Sequence, residues 1–149
     1  MVKRVIYPPA WLLIGLVAVF ALNEYYPGMR FTGLASQLIG GAIIVFALFL
    51  LVSANGLFFR AQTGIIPFRP VTALVTDGVY RLSRNPMYLG MMLVLLGCAI
   101  TVGAATALLV PLMFAVIIQF RYILPEEAML MDAFPEDFAA YRARVRRWI

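Results

Sequence analysis

Long stretches of this chain carry no charge at all. Residues 31–59 and 85–120 contain no Asp, Glu, Lys or Arg, and residues 42–52 are apolar throughout. Each stretch is longer than the roughly 20 residues that cross a bilayer. Residues AVILMFWYC make up 64% of the 149, against about 45–50% apolar in ordinary proteins. The mean hydropathy is +0.94. A single soluble core of this length cannot hide so much apolar surface. Lipid is therefore the solvent for much of the chain, and the expected fold class is all-α, an integral membrane protein.

Four spans are expected in one domain over 1–149: about 8–25, 33–59, 86–102 and 104–124. Met1, Lys3 and Arg4 before the first span imitate a signal peptide, but no clean cleavage site follows, and it reads as a retained span. Trp11, Tyr25 and Tyr26 lie near its ends, where interface aromatics gather. Pro27-Gly28 breaks the chain. A polar loop over 60–85 holds Gly64, Pro67, Pro70, Asp77 and Gly78. Pro86 suits the first turn of a helix. Gly103 and Thr106 make a short break, so spans three and four form a tight hairpin. Pro125 opens a charged, amphipathic cap over 125–149, with Met129, Leu130, Ala133, Phe134, Phe138, Tyr141 and Val145 at helical spacing. Pro135 divides it into two short helices.

The net charge of +5 follows this layout. Lys and Arg at 3, 4, 60, 69, 81, 84, 121, 142, 144, 146 and 147 fall on one side, and only Arg30 falls on the other. The positive-inside rule puts both termini and the 60–85 loop in the cytoplasm. Topology and lipid head groups account for the basic charge, so no nucleic-acid partner is expected.

The chain contains no His. That excludes His-based general base catalysis, a Ser-His-Asp triad, HExxH zinc chemistry and haem on a proximal His. The one cysteine, Cys98, lies in an apolar run and reads as a small buried hydrophobe. No structural disulfide within the chain and no Cys-rich metal site is possible, and no metal is expected. There is no GxGxxG after a strand and no Walker loop.

Three groups can carry chemistry. The first is the run from Gly78 to Gly90, where Tyr80, Arg81, Arg84, Asn85 and Tyr88 meet the start of span three. A helix N-terminus attracts anions, and arginine offers a planar donor fork to a carboxylate. The bland alternative is that Arg81 and Arg84 only fix topology. The second is Glu126-Glu127, just past span four, where one acid can pair with a ligand ammonium. The alternative is a helix-start acid favoured by the macrodipole. The two point to different sides of a helix, so one of them faces a pocket. The third is Gln119, Arg121 and Tyr122. Gln119 in an apolar helix needs a hydrogen-bond partner, from a neighbouring helix or a ligand. Gly90 and Gly97 either permit close helix packing or leave room for a flat ligand.

These pieces resemble a known family. Arg84-Asn85-Pro86-Met87-Tyr88-Leu89-Gly90 is similar to the Arg-His-Pro-x-Tyr-x-Gly motif of the isoprenylcysteine carboxyl methyltransferase superfamily, to which phospholipid methyltransferases are related. Glu126-Glu127, then Leu130, Phe134, Tyr141, Val145 and Arg147, is similar to its C-terminal pattern. The order and spacing agree over about 61–149; the first two spans match only in hydrophobicity. The resemblance implies an S-adenosylmethionine-dependent methyltransferase, with its cofactor at the cytoplasmic face and a lipophilic or lipid-modified acceptor. Tyr80, Arg81, Arg84, Asn85, Pro86, Tyr88, Leu89, Gly90, Glu126 and Glu127 are the implied cofactor residues. Glu127 and Arg84 are the catalytic candidates, and Gln119, Tyr122 and Arg147 the substrate candidates. Asn85 stands where the family often has His; it keeps a donor and an acceptor but cannot titrate.

Methyl transfer from a sulfonium is an in-line displacement that asks mainly for orientation and desolvation. An isoprenylcysteine-like carboxylate acceptor arrives ionised. An amine, as in phospholipid N-methylation, must lose a proton, which Glu126 or Glu127 can take. Two other readings stand beside these: an NADPH-dependent membrane reductase of related fold, and a non-catalytic membrane scaffold.

Overall fold

The computed structural model describes residues 7–60 and 73–149, and of 58–60 the backbone only. Lys3, Arg4 and Arg69, and the part of the expected loop over 61–72 with Gly64, Pro67 and Pro70, lie outside the described residues. Among the described residues the regular structure is helical, apart from one isolated bridge between Arg30 and Ala104. The helices are α1 (Pro8–Tyr25), α2 (Leu34–Arg60), α3 (Pro86–Val102), α4 (Leu109–Ile118), α5 (Leu124–Ala133) and α6 (Pro135–Arg144). Short 3-10 turns cover Gly78–Arg81 and Ala105–Leu108, and a π-helical turn covers Gln119–Ile123.

Among the described residues, three helical stretches are long and apolar enough to cross a membrane: Pro8–Tyr25, Leu34–Leu57 and Ala105–Ala133. Pro86–Val102 is equally apolar at 17 residues, at the lower limit for a crossing. Leu13, Val17, Phe20, Leu38, Val45, Phe49, Val52, Leu112, Met113 and Val116 are all exposed. A helix that is apolar on every side belongs in lipid or deep in a core, and exposure of this extent places these helices in lipid.

The expected break at Pro125 does not occur. The helix that starts at Ala105 runs on to Ala133. Proline inside an α-helix crowds the carbonyl four residues back, here Arg121, and leaves it without a donor. The π-turn relieves this by taking in one extra residue: the Leu124 N–H reaches back to the carbonyl of Gln119. Glu126 and Glu127 therefore follow a continuous helix and not a free helix N-terminus. Pro135 does divide the cap, standing at the first position of α6 after Phe134 leaves the helix.

The chain separates into two compact units. One comprises Met1–Ala47 and Met91–Val116. Within it α2 and α3 approach backbone to backbone: a Cβ on Gly97 would lie 2.8 Å from the Gly40 carbonyl and 2.6 Å from Ile44. Small residues permit this contact, which is the packing alternative for Gly97. Gly103, with φ of +68°, turns the chain after α3 and fits against Thr32. The turn is tied to the α1–α2 loop by Phe31 N–H to Gly103 O (2.9 Å), Ala105 N–H to Met29 O (3.0 Å) and Thr106 Oγ1 to Tyr26 O (2.5 Å). Cys98 is half-buried rather than fully enclosed. The other unit comprises Leu48–Gly90 and Ile117–Ile149, and holds every candidate site residue.

Candidate active site

The local chain path before α3 begins at Gly78, whose φ of +57° reverses the backbone against Leu57. The 3-10 turn then closes with Tyr80 N–H on Asp77 O (3.0 Å) and Leu82 N–H on Val79 O (3.1 Å). This buries Val79 and Tyr80 and leaves Arg81 exposed, paired with Asp77 at 2.9 Å. An exposed i,i+4 pair of this kind contributes little. Arg81 is thus set apart from the other basic residues of the motif. Tyr80 is anchored through its carbonyl, which accepts the buried Tyr141 hydroxyl at 2.6 Å. Burial pushes both phenols above their ordinary pKa, so both stay neutral.

Ser83, Arg84 and Asn85 lead into α3, and Asn85 O accepts the Leu89 N–H at 2.9 Å in its first turn. Pro86 starts the helix with Tyr88, Leu89 and Gly90 buried on it. Arg84 sends its Nε (3.1 Å) and Nη2 (2.8 Å) to Glu127 Oε1. From the far end of the chain, Arg147 sends Nη2 to Glu127 Oε2 (2.7 Å) and Nε to both oxygens (3.1 and 3.2 Å). Side-chain exposures are 7% for Arg84, 10% for Glu127 and 30% for Arg147. Glu127 is thus an acceptor for two guanidiniums at once, the geometry in which charge-assisted bonds are strongest. With both oxygens engaged, it offers an incoming proton no open lone pair comparable to that of a free carboxylate.

Glu126 has different company. Its Oε1 accepts the Tyr88 hydroxyl at 2.8 Å, and among the described residues no guanidinium bonds to it. The Tyr88 ring lies 6.3 Å from that of the buried Tyr122, at 46°. Gln119 has the partner its position demands: its Oε1 accepts the Trp148 indole N–H at 2.9 Å.

Two groups of sequence candidates therefore form: Arg84, Asn85, Glu127 and Arg147 are joined by direct hydrogen bonds, Tyr88 and Glu126 by another, and Gln119 and Tyr122 border them through Trp148 and Tyr88. Ser83 and Trp148 carry no sequence signal that marks them as members, and Tyr141 stands in the C-terminal pattern without a site role. Ser83 is wholly buried, and Tyr141 pairs with buried Phe138 three residues earlier. That i,i+3 spacing was visible, but not the carbonyl the phenol would meet. Among the described residues no group of three or more His, Cys, Asp or Glu is placed to hold a metal.

Residues 34–137 match the model of the phospholipid methyltransferase family. The chain belongs to this family. It is part of the superfamily that also contains the isoprenylcysteine carboxyl methyltransferases, as the Arg84–Gly90 and Glu126–Glu127 motifs imply. A protein of Haemophilus influenzae described as uncharacterized is 33% identical over 63 residues, which is 42% of this chain and 100% of that protein. Both motifs of this phospholipid methyltransferase family member lie within the matched residues, and the Val145–Trp148 segment beyond them completes their ion pairs. Family and apolar helices together make it an integral membrane protein of a methyltransferase family.

Proposed function

We propose that residues 1–149 act as one methyltransferase domain that moves a methyl group from S-adenosylmethionine to the amine of a phospholipid head group at the cytoplasmic face. The arrangement of charge in the cluster carries this reading. Arg84, Arg147 and Glu127 together bear one net positive charge, and Glu126, next in the chain to Glu127, presents a carboxyl group that accepts the Tyr88 hydroxyl. A zwitterionic α-amino acid is the complement of that pair. Its carboxylate fits Arg147, the most exposed of the three, and its ammonium fits Glu126. The donor set thus suits the amino-acid end of S-adenosylmethionine, which when bound supplies a methyl group on a sulfonium.

In this reading Arg84 and Glu127 form the rigid frame of the site, while Arg147 and Glu126 touch the cofactor. Tyr88 orients Glu126. Tyr88 and Tyr122 supply an apolar, water-excluding wall beside it. The family description supports a phospholipid acceptor. A lipid amine sheds its proton to water before it attacks, so the rate is expected to climb with pH toward the amine's own pKa. Eleven of the twelve Lys and Arg on one side support a cytoplasmic site and cytoplasmic termini.

The test is to incubate membranes containing the protein with methyl-labelled S-adenosylmethionine and extract the lipids. Label on a head-group amine supports the reading. Label released by mild base as methanol would instead assign a carboxylate acceptor. No transfer together with no binding of S-adenosylhomocysteine to the purified protein would remove the cofactor assignment.

A further inference from the structure

Residues 145–148 follow α6 without regular structure, yet the carbonyls of 145, 146 and 147 are all engaged by one short turn. Val145 O accepts Arg84 Nη1 at 2.6 Å, Arg146 O accepts the Arg84 N–H at 2.9 Å, and Arg147 O accepts both Ser83 Oγ (3.2 Å) and Asn85 Nδ2 (3.1 Å). Three consecutive carbonyls thus take donors from three consecutive residues. Ser83 Oγ in turn accepts the Asn85 N–H at 3.0 Å, which fixes the turn itself. At the far end, Trp148 donates to Gln119 in the π-turn. Arg147 sits between these two fastenings and reaches Glu127 from there.

We propose that 145–148 is a strap that delivers Arg147 to the ligand site, with Asn85, Ser83 and Gln119 as positioning residues that act through it. This rests on the cofactor reading above and adds how that site is held. An irregular segment has no internal ladder to keep its shape, so its geometry is only as good as its external bonds. Asn85 gives an amide N–H to the Arg147 carbonyl. The residue that replaces the family's usual His therefore serves the strap.

Trp148 reports on this directly, because the only other tryptophan is Trp11. In a Trp11→Phe background Trp148 is the single indole emitter. Asn85→Ala and Ser83→Ala, each compared with the parent by circular dichroism for helix content, should make Trp148 more quenchable by iodide with no ligand present. Gln119→Leu should do the same from the other end. Each should weaken S-adenosylhomocysteine binding by about tenfold, the scale of one lost hydrogen bond. Asn85→Ala combined with Gln119→Leu should weaken it by less than the product of the two, because both release one element.

Unchanged quenching in Asn85→Ala and Ser83→Ala would overturn the strap, and a direct Asn85–ligand contact predicts that result. Increased quenching with unchanged affinity would overturn its service to the site. Should the parent itself fail to bind S-adenosylhomocysteine, the cofactor reading falls, while the quenching comparison still decides whether these bonds hold the strap.

Discussion

Glu126 and Glu127 are neighbours with the same side chain, and the structure separates their consequences. Removing charge from Glu127 leaves Arg84 and Arg147 facing each other with one neutral acceptor, and Arg84 is nearly enclosed. Breaking a buried pair from one side typically costs about 3–5 kcal/mol. Glu127→Gln should therefore lower the melting temperature in detergent, with ligand binding lost as a consequence. Glu126→Gln still accepts the Tyr88 hydroxyl through its amide oxygen, so its melting temperature should stay near that of the parent. Its affinity for S-adenosylhomocysteine should fall by about ten- to a hundredfold, the effect of one charge-assisted hydrogen bond. Equal melting losses for the two variants would remove the distinction. In the sequence the pair was legible as a pair, and its meeting with Arg84 followed from the resemblance. Which acid met which partner was not legible, since that depends on the helical phase at Glu126. The carbonyls of 145–147 were invisible for a different reason: every residue has one, so no residue type marks them as acceptors.

At the scale of elements, α1 and α3 share the bounds of the apolar runs 8–25 and 86–102, and α2 lies within one residue of 33–59 at each end, because proline, glycine and charge end these runs sharply. The last span was misjudged at Pro125. A sequence shows that proline cannot continue an ordinary α-helical bond, but not that a π-turn will absorb the defect. The close approach of α2 and α3 gives an element-scale prediction with its own control. Gly97→Ala places a methyl group against the Gly40 carbonyl and Ile44, and backbone cannot yield as a flexible side chain can. The cost should be about 1–3 kcal/mol, the usual range for overpacking, seen as a lower melting temperature. Gly41→Ala, one residue along α2 from Gly40, meets nothing within 4 Å and gains helix propensity, so it should be neutral or stabilising. If both variants melt alike, the two glycines do not mark a helix contact.

At the scale of the whole molecule, charge asymmetry and exposure can be set against each other. Met29 lies in the loop that holds Arg30, the one cation expected outside, and that arginine is tied back to Asn23 Oδ1 (3.2 Å) and O (2.9 Å). Ile149 lies beyond Arg142, Arg144, Arg146 and Arg147, on the expected inner side. Both side chains are 76% exposed. A cysteine at either position is thus equally reachable as far as the protein is concerned, and any difference in labelling comes from the membrane. In a Cys98→Ser background, Met29→Cys should react with an impermeant thiol reagent on intact cells, while Ile149→Cys should react only after permeabilisation. Moving charge tests the cause: Arg30→Glu leaves no cation outside and should preserve the pattern, since acids weigh little in orientation. Labelling of Ile149→Cys from outside, with Met29→Cys protected, would invert the molecule and place Arg84, Glu126 and Arg147 away from the cytoplasmic pool of S-adenosylmethionine.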